Sequence, residues 1–322
     1  MSTYKKANPE LWSGRSSGQK LSLHEKVALV DLDQSKLNSS QNAIAILGYV
    51  CDEGVKRNQG RPGAAEGPDA ILKQLAKMPN HLETDSELLD VGSIDCLDGD
   101  MEAAQKNLSQ KVIHLLANNT FPILLGGGHD IAYGHYSGIK EYLGKDKSIG
   151  IINFDAHFDL RSNEIGNNSG TPFFQIAQDC KQNGSEFKYL CLGIREDANH
   201  SGLFKTAKNL GVEYMNSIKF SMAYAKTVVR TLLDFIAQVD HLYVTIDLDG
   251  FSSAYAPGVS APSPMGFSSN VVLESLELII KSKKLISMDV AEMNPKYDND
   301  IQTAKLAASL VHFVMHKLDE GL

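Results

Sequence analysis

The chain has 322 residues, of which 43% are hydrophobic and 22% charged, and it carries a net charge of -8. That is ample apolar material for a large core and argues against disorder. The acidic balance excludes nucleic acid and anionic membrane surfaces as partners, since both need a basic patch, and leaves a small molecule as the expected partner. Cys51, Cys96, Cys180 and Cys191 show no CxxC spacing and read as reduced thiols rather than a disulfide framework. The opening stretch MSTYKKANPELWSG lacks an apolar segment, and no run approaches the roughly 18 apolar residues of a membrane span, so a cytoplasmic location is expected. One domain over residues 1–322 is expected, with a short N-terminal extension over about residues 1–40.

Taken in chain order, short apolar runs recur at 43–50, 121–125, 149–154, 189–194, 242–246 and 285–290. Their hydrophobicity is continuous rather than alternating, which predicts strands buried on both faces, as in a parallel sheet. Helical patterns lie between them. Pro68 follows Gly67 at a place where a first helical residue accepts proline, and Leu108, Val112, Leu115 and Leu116 keep helical spacing. Ile301, Leu306, Leu310, Val311 and Val314 make a C-terminal stripe that Asp300 is placed to cap. Strands alternating with helices imply a wound α/β sheet, whose ligands bind beyond the carboxyl ends of the strands. The first five runs lead into CDEGVKRNQGRPG, GGGHD, DAHFD, REDANH and DLDGF, and the sixth into DVAEMNP, which begins at Asp289.

The third run passes from SIGIIN into FDAHFDL at 154–160. Burying ionised carboxylates is costly without a counter-charge, and Arg161 balances only one of them. If the chain stays extended, Asp155, His157 and Asp159 fall on one side. Asp247 and Asp249 repeat the device, and with His129 the set reaches four carboxylates and two imidazoles. Each part alone is ordinary, because a DxD or a histidine after glycines is commonly a turn or cap. Residues 126–128 also lack the Lys and Ser/Thr of a phosphate loop. Their arrival at the same ends of three apolar strands is what points to two divalent cations, whose charge balances four carboxylates. Oxygen-rich ligation with imidazole and no thiolate suits Mn²⁺ and admits Co²⁺, Ni²⁺ or Zn²⁺; manganese is expected.

These segments resemble the GGxH, DAHxD and DxD signatures of the ureohydrolase family of arginases and agmatinases, met at 126–129, 155–159 and 247–249. The resemblance runs from Gly48 to about Pro295. It implies a three-layer α/β/α fold with an eight-stranded, mostly parallel sheet, two Mn²⁺ ions per subunit, and a homo-trimer or hexamer. The implied reaction is hydrolysis of a guanidino or formimino carbon–nitrogen bond. By the same resemblance His129 and Asp159 hold one ion, His157 and Asp249 the other, and Asp155 and Asp247 bridge. Asp155 and Glu292 are the implied catalytic residues, with Glu292 holding the substrate's cationic nitrogen group through charge-assisted hydrogen bonds. A hydroxide between two cations is the expected nucleophile, because metals lower the pKa of bound water.

Four stretches, DEGVKRNQGRPGAAEGP from Asp52, DLR from Asp159, SGTPF from Ser169 and AYAPGVSAP from Ala254, resemble the formimidoylglutamase branch of that family. That branch splits N-formimidoyl-L-glutamate into L-glutamate and formamide in histidine degradation. Its substrate brings an α-carboxylate within a few bonds of the metals, so a cation is expected nearby. Arg161 is the first candidate, with Arg57, Arg61 and Arg195 as further ones, since Arg binds carboxylates bidentately; a structural ion pair is the competing reading for each. Two departures stand out. Ser169 occupies the place of a histidine to which proton shuttling is ascribed in the wider family, leaving the general acid open among His200, metal-bound water and Glu292. Ser252 replaces the last aspartate of a DxDxxD pattern. His135 reads as packing or capping, and His312 and His316 as surface or interface residues. The alternatives are an arginase, agmatinase or guanidino-acid hydrolase with the same site, or a non-catalytic metal-binding protein, against which the full ligand set and Glu292 argue.

Overall fold

In the computed structural model, residues 2–34, 37 and 43–321 are described. Each apolar run becomes a strand. The strands are β1 (Ser2–Lys5), β2 (Ala28–Leu29), β3 (Ala43–Val50), β4 (Glu87–Cys96), β5 (Thr120–Leu125), β6 (Ile149–Phe154), β7 (Lys188–Ile194), β8 (Glu213–Asn216), β9 (His241–Asp247) and β10 (Leu285–Ala291). They form one sheet in the order β1-β4-β3-β5-β10-β9-β6-β7-β8, with β2 also pairing to β4. The eight strands from β3 to β10 are mutually parallel. The expected count of eight is therefore corrected to ten among the described residues. The added two come from the segment read as an extension, where β1 runs antiparallel to β4 and β2 parallel to it.

Continuous hydrophobicity has the predicted cause. Along β3, Ile44 and Ile46 enter one core while Ala43, Ala45, Leu47 and Tyr49 enter the other, as alternate side chains of a strand must. The first core is closed by α3 (Gly67–Leu75), α8 (Ala225–Ile236), α9 (Ser269–Lys281) and α10 (Gln302–Gly321). The second is closed by α4 (Met101–Ala117), α5 (Ile131–Leu143), α6 (Pro172–Asn183) and α7 (Ser201–Asn209). Three layers result. Two short helices, α1 (Leu23–Lys26) and α2 (Glu53–Arg57), complete the set. Pro68 does sit in the first turn of α3. Among the described residues no helix is long and apolar enough to cross a membrane.

Three local expectations are corrected. Asp298, not Asp300, caps α10, its carboxylate accepting from Thr303 N at 2.9 Å and Ala304 N at 3.1 Å; Ile301 is exposed and outside the stripe. His316 is buried rather than on the surface, accepting from His81 N at 3.0 Å, while His312 meets Pro79 O at 2.8 Å. These two histidines fasten α10 to the segment after α3. The extended path imagined for 155–159 ends early, for β6 stops at Phe154 and Asp159 has φ +47°.

Candidate metal centre

The four central strands in the sheet are β5, β10, β9 and β6, and the segments beyond their carboxyl ends are those carrying His129, Glu292, Asp247 with Asp249, and Asp155 to Asp159. Sheet order thus explains why segments far apart in sequence meet. The loop 126–129 is held by Gly126 N to Val290 O at 2.7 Å and Gly128 N to Cys51 O at 2.9 Å. A side chain at Gly127 would put its Cβ 1.7 Å from Cys51 O, so only glycine fits there.

His129 Nδ1 lies 2.9 Å from Asp159, 3.1 Å from Asp247 and 3.3 Å from Asp155. His157 Nδ1 lies 3.3 Å from Asp249 and 3.4 Å from Asp155. Two groups able to hold a cation emerge, His129 with Asp155, Asp159 and Asp247, and Asp155 with His157 and Asp249, each with ligand atoms within 4.8 Å of one another. Asp155 belongs to both. The groups get there by different backbone means: Asp247 ends β9, Asp249 sits in a 3-10 turn with its N–H on Asp247 Oδ1 at 2.8 Å, and Asp155 Oδ1 accepts from His157 N at 2.7 Å.

The cluster fits cations. His129 Nε2 contacts Thr245 Oγ1 at 3.0 Å, and that hydroxyl donates to Asp289 Oδ1 at 2.6 Å. With its hydroxyl hydrogen committed, Thr245 accepts from Nε2, which leaves a lone pair on Nδ1 facing three carboxylates. Among the described residues that buried Nδ1 has no partner that meets hydrogen-bond geometry, and neither has Asp249 Oδ1. Burial pushes the carboxyls of Asp247 and Glu292 well above their usual range, with a like charge adding to each, and raises Asp249 to about 6. Burial and Asp155 also raise Asp159. Burial opposes charge on His129 and His157, yet the surrounding carboxylates win and raise both. Burial likewise works to raise Asp155, but His129 and His157 overcome it and lower it. A site that draws protons this way lacks positive charge, which divalent cations supply.

Glu292 closes the floor. Its backbone, at φ +67°, bonds Gly127 O at 2.8 Å, and its Oε1 accepts from His129 N at 2.9 Å. Above the floor is a pocket of 310 Å³ lined by His157, Asp159, Asp247, Asp249, Glu292, Arg161, Asn58, Ser169 and neighbours. A larger cavity of 670 Å³ lies between the N-terminal segment, α3 and the β3–β4 edge and contains none of the cluster residues, so the chemistry assigns the smaller one.

The four arginines separate clearly. Arg161 lines the pocket and its side chain has no hydrogen-bond or ion-pair partner among the described residues. Arg57 is engaged elsewhere, with Glu53 at 3.2 Å, Glu102 at 2.8 Å and Gly99 O at 2.9 Å. Arg195 is bidentate to Asp197 at 3.0 and 2.6 Å. Arg61 reaches the pocket wall, but its guanidinium bonds Ser260 O and Val259 O and stacks 3.7 Å over Tyr297. His200 is outside the pocket, exposed, and caps α7 through Nδ1 to Gly202 N at 3.1 Å. Ser169 is in the wall and accepts from Asn58 Nδ2 at 3.2 Å. Asn58 and Thr245 escaped the sequence reading; Thr245 lies two residues before Asp247 on the same strand face, a spacing that marks it.

The sequence pattern of the arginase family matches residues 42–316. The chain belongs to the arginase family. It is 41% identical over 319 residues to a formimidoylglutamase of Geobacillus sp. (strain WCH70), covering 96% of this chain and 97% of that protein. Among solved structures it is similar to formimidoylglutamase from Bacillus subtilis subsp. subtilis str. 168, with a TM-score of 0.81 at 22% identity over 95% and 94% of the two chains. Trypanosoma cruzi formiminoglutamase with Mn²⁺ superposes with a TM-score of 0.77 at 24% identity over 89% and 95%. The last two likenesses speak to the fold.

Proposed function

We propose that this arginase-family protein is a formimidoylglutamase, a hydrolase that cleaves the formimino carbon–nitrogen bond of N-formimidoyl-L-glutamate to L-glutamate and formamide in histidine degradation. The observation that carries the substrate assignment is Arg161, an arginine whose side chain has no partner among the described residues, in the wall of the pocket beside the cluster. Full-length similarity to proteins of that name supports it. An arginine or agmatine substrate, cationic at the amidine, gains nothing from a second cation there.

His129 and Asp159 would hold one cation, His157 and Asp249 the other, with Asp155 and Asp247 between them. Two Mn²⁺ ions suit this oxygen-rich donor set with two imidazoles. When bound, the cations supply Lewis acidity and bring water toward deprotonation at neutral pH. The chain's own residues do the rest. Glu292, fixed through Oε1 to His129 N, presents its carboxylate to the planar amidinium and orients it. Arg161 pairs with the α-carboxylate, and Asn58 and Ser169 supply neutral hydrogen-bonding groups to the remaining polar atoms. Leu203 and Val55 are apolar parts of the wall and limit water there. We place the enzyme in the cytoplasm, where its four free cysteines suit a reducing compartment, as a trimer or hexamer of one chain.

The test is product analysis of manganese-loaded protein given N-formimidoyl-L-glutamate, arginine, agmatine and guanidino acids in parallel. Formamide from the first alone is the expected result. Urea from a guanidino compound overturns the substrate assignment and keeps the metal centre; no turnover of any of them overturns both.

A further inference from the structure

Two of the four cysteines, neither of them in the candidate metal groups, stand on neighbouring strand ends. β3 and β4 are parallel neighbours in which Val50 pairs with Asp95, so the next residue on each, Cys51 and Cys96, stand side by side where the strands end. Adjacent strands lie about 4.8 Å apart, inside the Cα separation of roughly 4.4–6.8 Å that a disulfide requires. Both side chains pack into the same core layer and therefore share a face of the sheet. Cys51 is buried and Cys96 half-buried, next to exposed Leu97. The two thiols influence each other: Cys96 and burial raise Cys51, while Cys51 lowers Cys96, so the sulfur that solvent reaches is the more readily ionised. The other two cysteines have different company: Cys180 Sγ meets Tyr136 OH at 3.5 Å, and Cys191 Sγ meets His157 O at 3.4 Å.

We propose that Cys51 and Cys96 form a reversible disulfide, a covalent staple between the ends of β3 and β4 that closes by exchange with a small oxidised disulfide. In the first step the Cys96 thiolate attacks one sulfur of the small disulfide, forming a mixed disulfide and releasing one thiolate. Cys51 then loses its proton and attacks Cys96 Sγ, expelling the second thiolate. The protein gives up two thiol hydrogens and two electrons, and the small disulfide becomes two thiols. The staple lies close to the cluster, because Cys51 O accepts from Gly128 N at 2.9 Å and abuts Gly127. Closing it anchors the strand end on which the loop carrying His129 rests, and restricts the unfolded chain between the two cysteines.

The experiment incubates metal-loaded, full-length protein with oxidised glutathione at neutral pH, then combines non-reducing peptide mapping with thermal unfolding. The expected result is a peptide linking Cys51 to Cys96, loss of two titratable thiols, and a thermal midpoint raised by about 3 °C or more. Dithiothreitol reverses all three, and Cys96→Ser removes the response. Arrest at a glutathione adduct on Cys96, a link that forms only in urea, or a midpoint that stays or falls when the link forms each overturns the proposal. The peptide map of the unmutated protein decides the matter even if the serine variant does not fold.

Discussion

Asp289 on β10 and Asp247 on β9 are both buried carboxylates near the end of a central strand, and they are buried in opposite ways. Asp289 accepts from Thr245 Oγ1 at 2.6 Å, from the Tyr243 hydroxyl and from His135 Nδ1 at 2.6 Å. His135 Nε2 in turn meets Ser287 Oγ at 2.6 Å. Donors from the chain itself complete that carboxylate. Asp247 has one backbone donor, Asp249 N, and turns its other oxygen to a histidine nitrogen 3.1 Å away. Burial alone therefore does not mark a metal site; missing donors do. His129 and Thr245 join the two regions, so the self-sufficient network orients the imidazole of the incomplete one.

Substitutions on the two sides test this contrast. Asp247→Asn, on the incomplete side, is expected to lower kcat/KM at least about 1,000-fold, a loss of about 4 kcal/mol in transition-state stabilisation, with reduced metal content by elemental analysis. Full metal content in that variant removes Asp247 from the ligand set. Glu292→Gln keeps the oxygen that accepts from His129 N, so metal content should hold while turnover falls about 100- to 1,000-fold; unchanged turnover sinks its role in holding the amidinium. On the complete side, Asp289→Asn strands His135 and is expected to cost about 3 kcal/mol of unfolding free energy in urea. A variant that loses metal at unaltered stability erases the distinction. Next in size is Arg161→Ala, expected to lower kcat/KM for N-formimidoyl-L-glutamate about 10- to 100-fold, largely through KM. Arg57→Ala should leave KM alone and change stability by less than about 1 kcal/mol, as partly exposed pairs do.

The smallest effect concerns pH after chelation. Asp249 has a folded pKa of about 6 against an ordinary value of 3.8, so the folded protein holds its proton more tightly than the unfolded chain. Its contribution is full below 3.8 and lost as pH rises through about 6. The raised imidazoles of His129 and His157 act in the same direction above 6.5. Metal-free protein should therefore melt at a lower temperature at pH 7.5 than at pH 5, and manganese should raise the midpoint most at the higher pH. A chelated protein whose midpoint climbs from pH 5 to 7.5 contradicts this account.

The strands legible in the sequence were those whose two faces are both apolar, as β3 and β6 show. β4 was hidden because Asp90 and Asp95 interrupt it, and what makes them tolerable lies far away: Trp12 Nε1 donates to Asp90 at 2.6 Å, and Lys5 pairs with Asp95. At the site, alternate spacing pointed to the five residues at 155, 157, 159, 247 and 249, and the glycine loop added His129, together the six that the two groups contain, although a left-handed Asp159 and a 3-10 turn at Asp249 replace the extended backbone that motivated the spacing. Motif spacing tolerated that error because the loops are short. The arginines could not be ranked from sequence, since what disqualifies Arg57 is Glu102, 45 positions on. Asp298 was likewise passed over for Asp300 because a positive φ at both 300 and 301 has no signature in their side chains.

Glu292 hangs from Gly127 O and grips His129 N, so the group proposed to meet the amidine and the group proposed to meet a metal are tied directly to each other. A change of Glu292 for a new substrate is therefore expected to disturb the backbone that positions His129 in the cluster. The rim is freer of that constraint: the side chains of Arg161, Asn58 and Ser169 make no hydrogen bond to His129 or Glu292 among the described residues. New substrates for such a scaffold would then arise by exchange at the rim, and a lineage's substrate could drift while its metal chemistry stayed fixed.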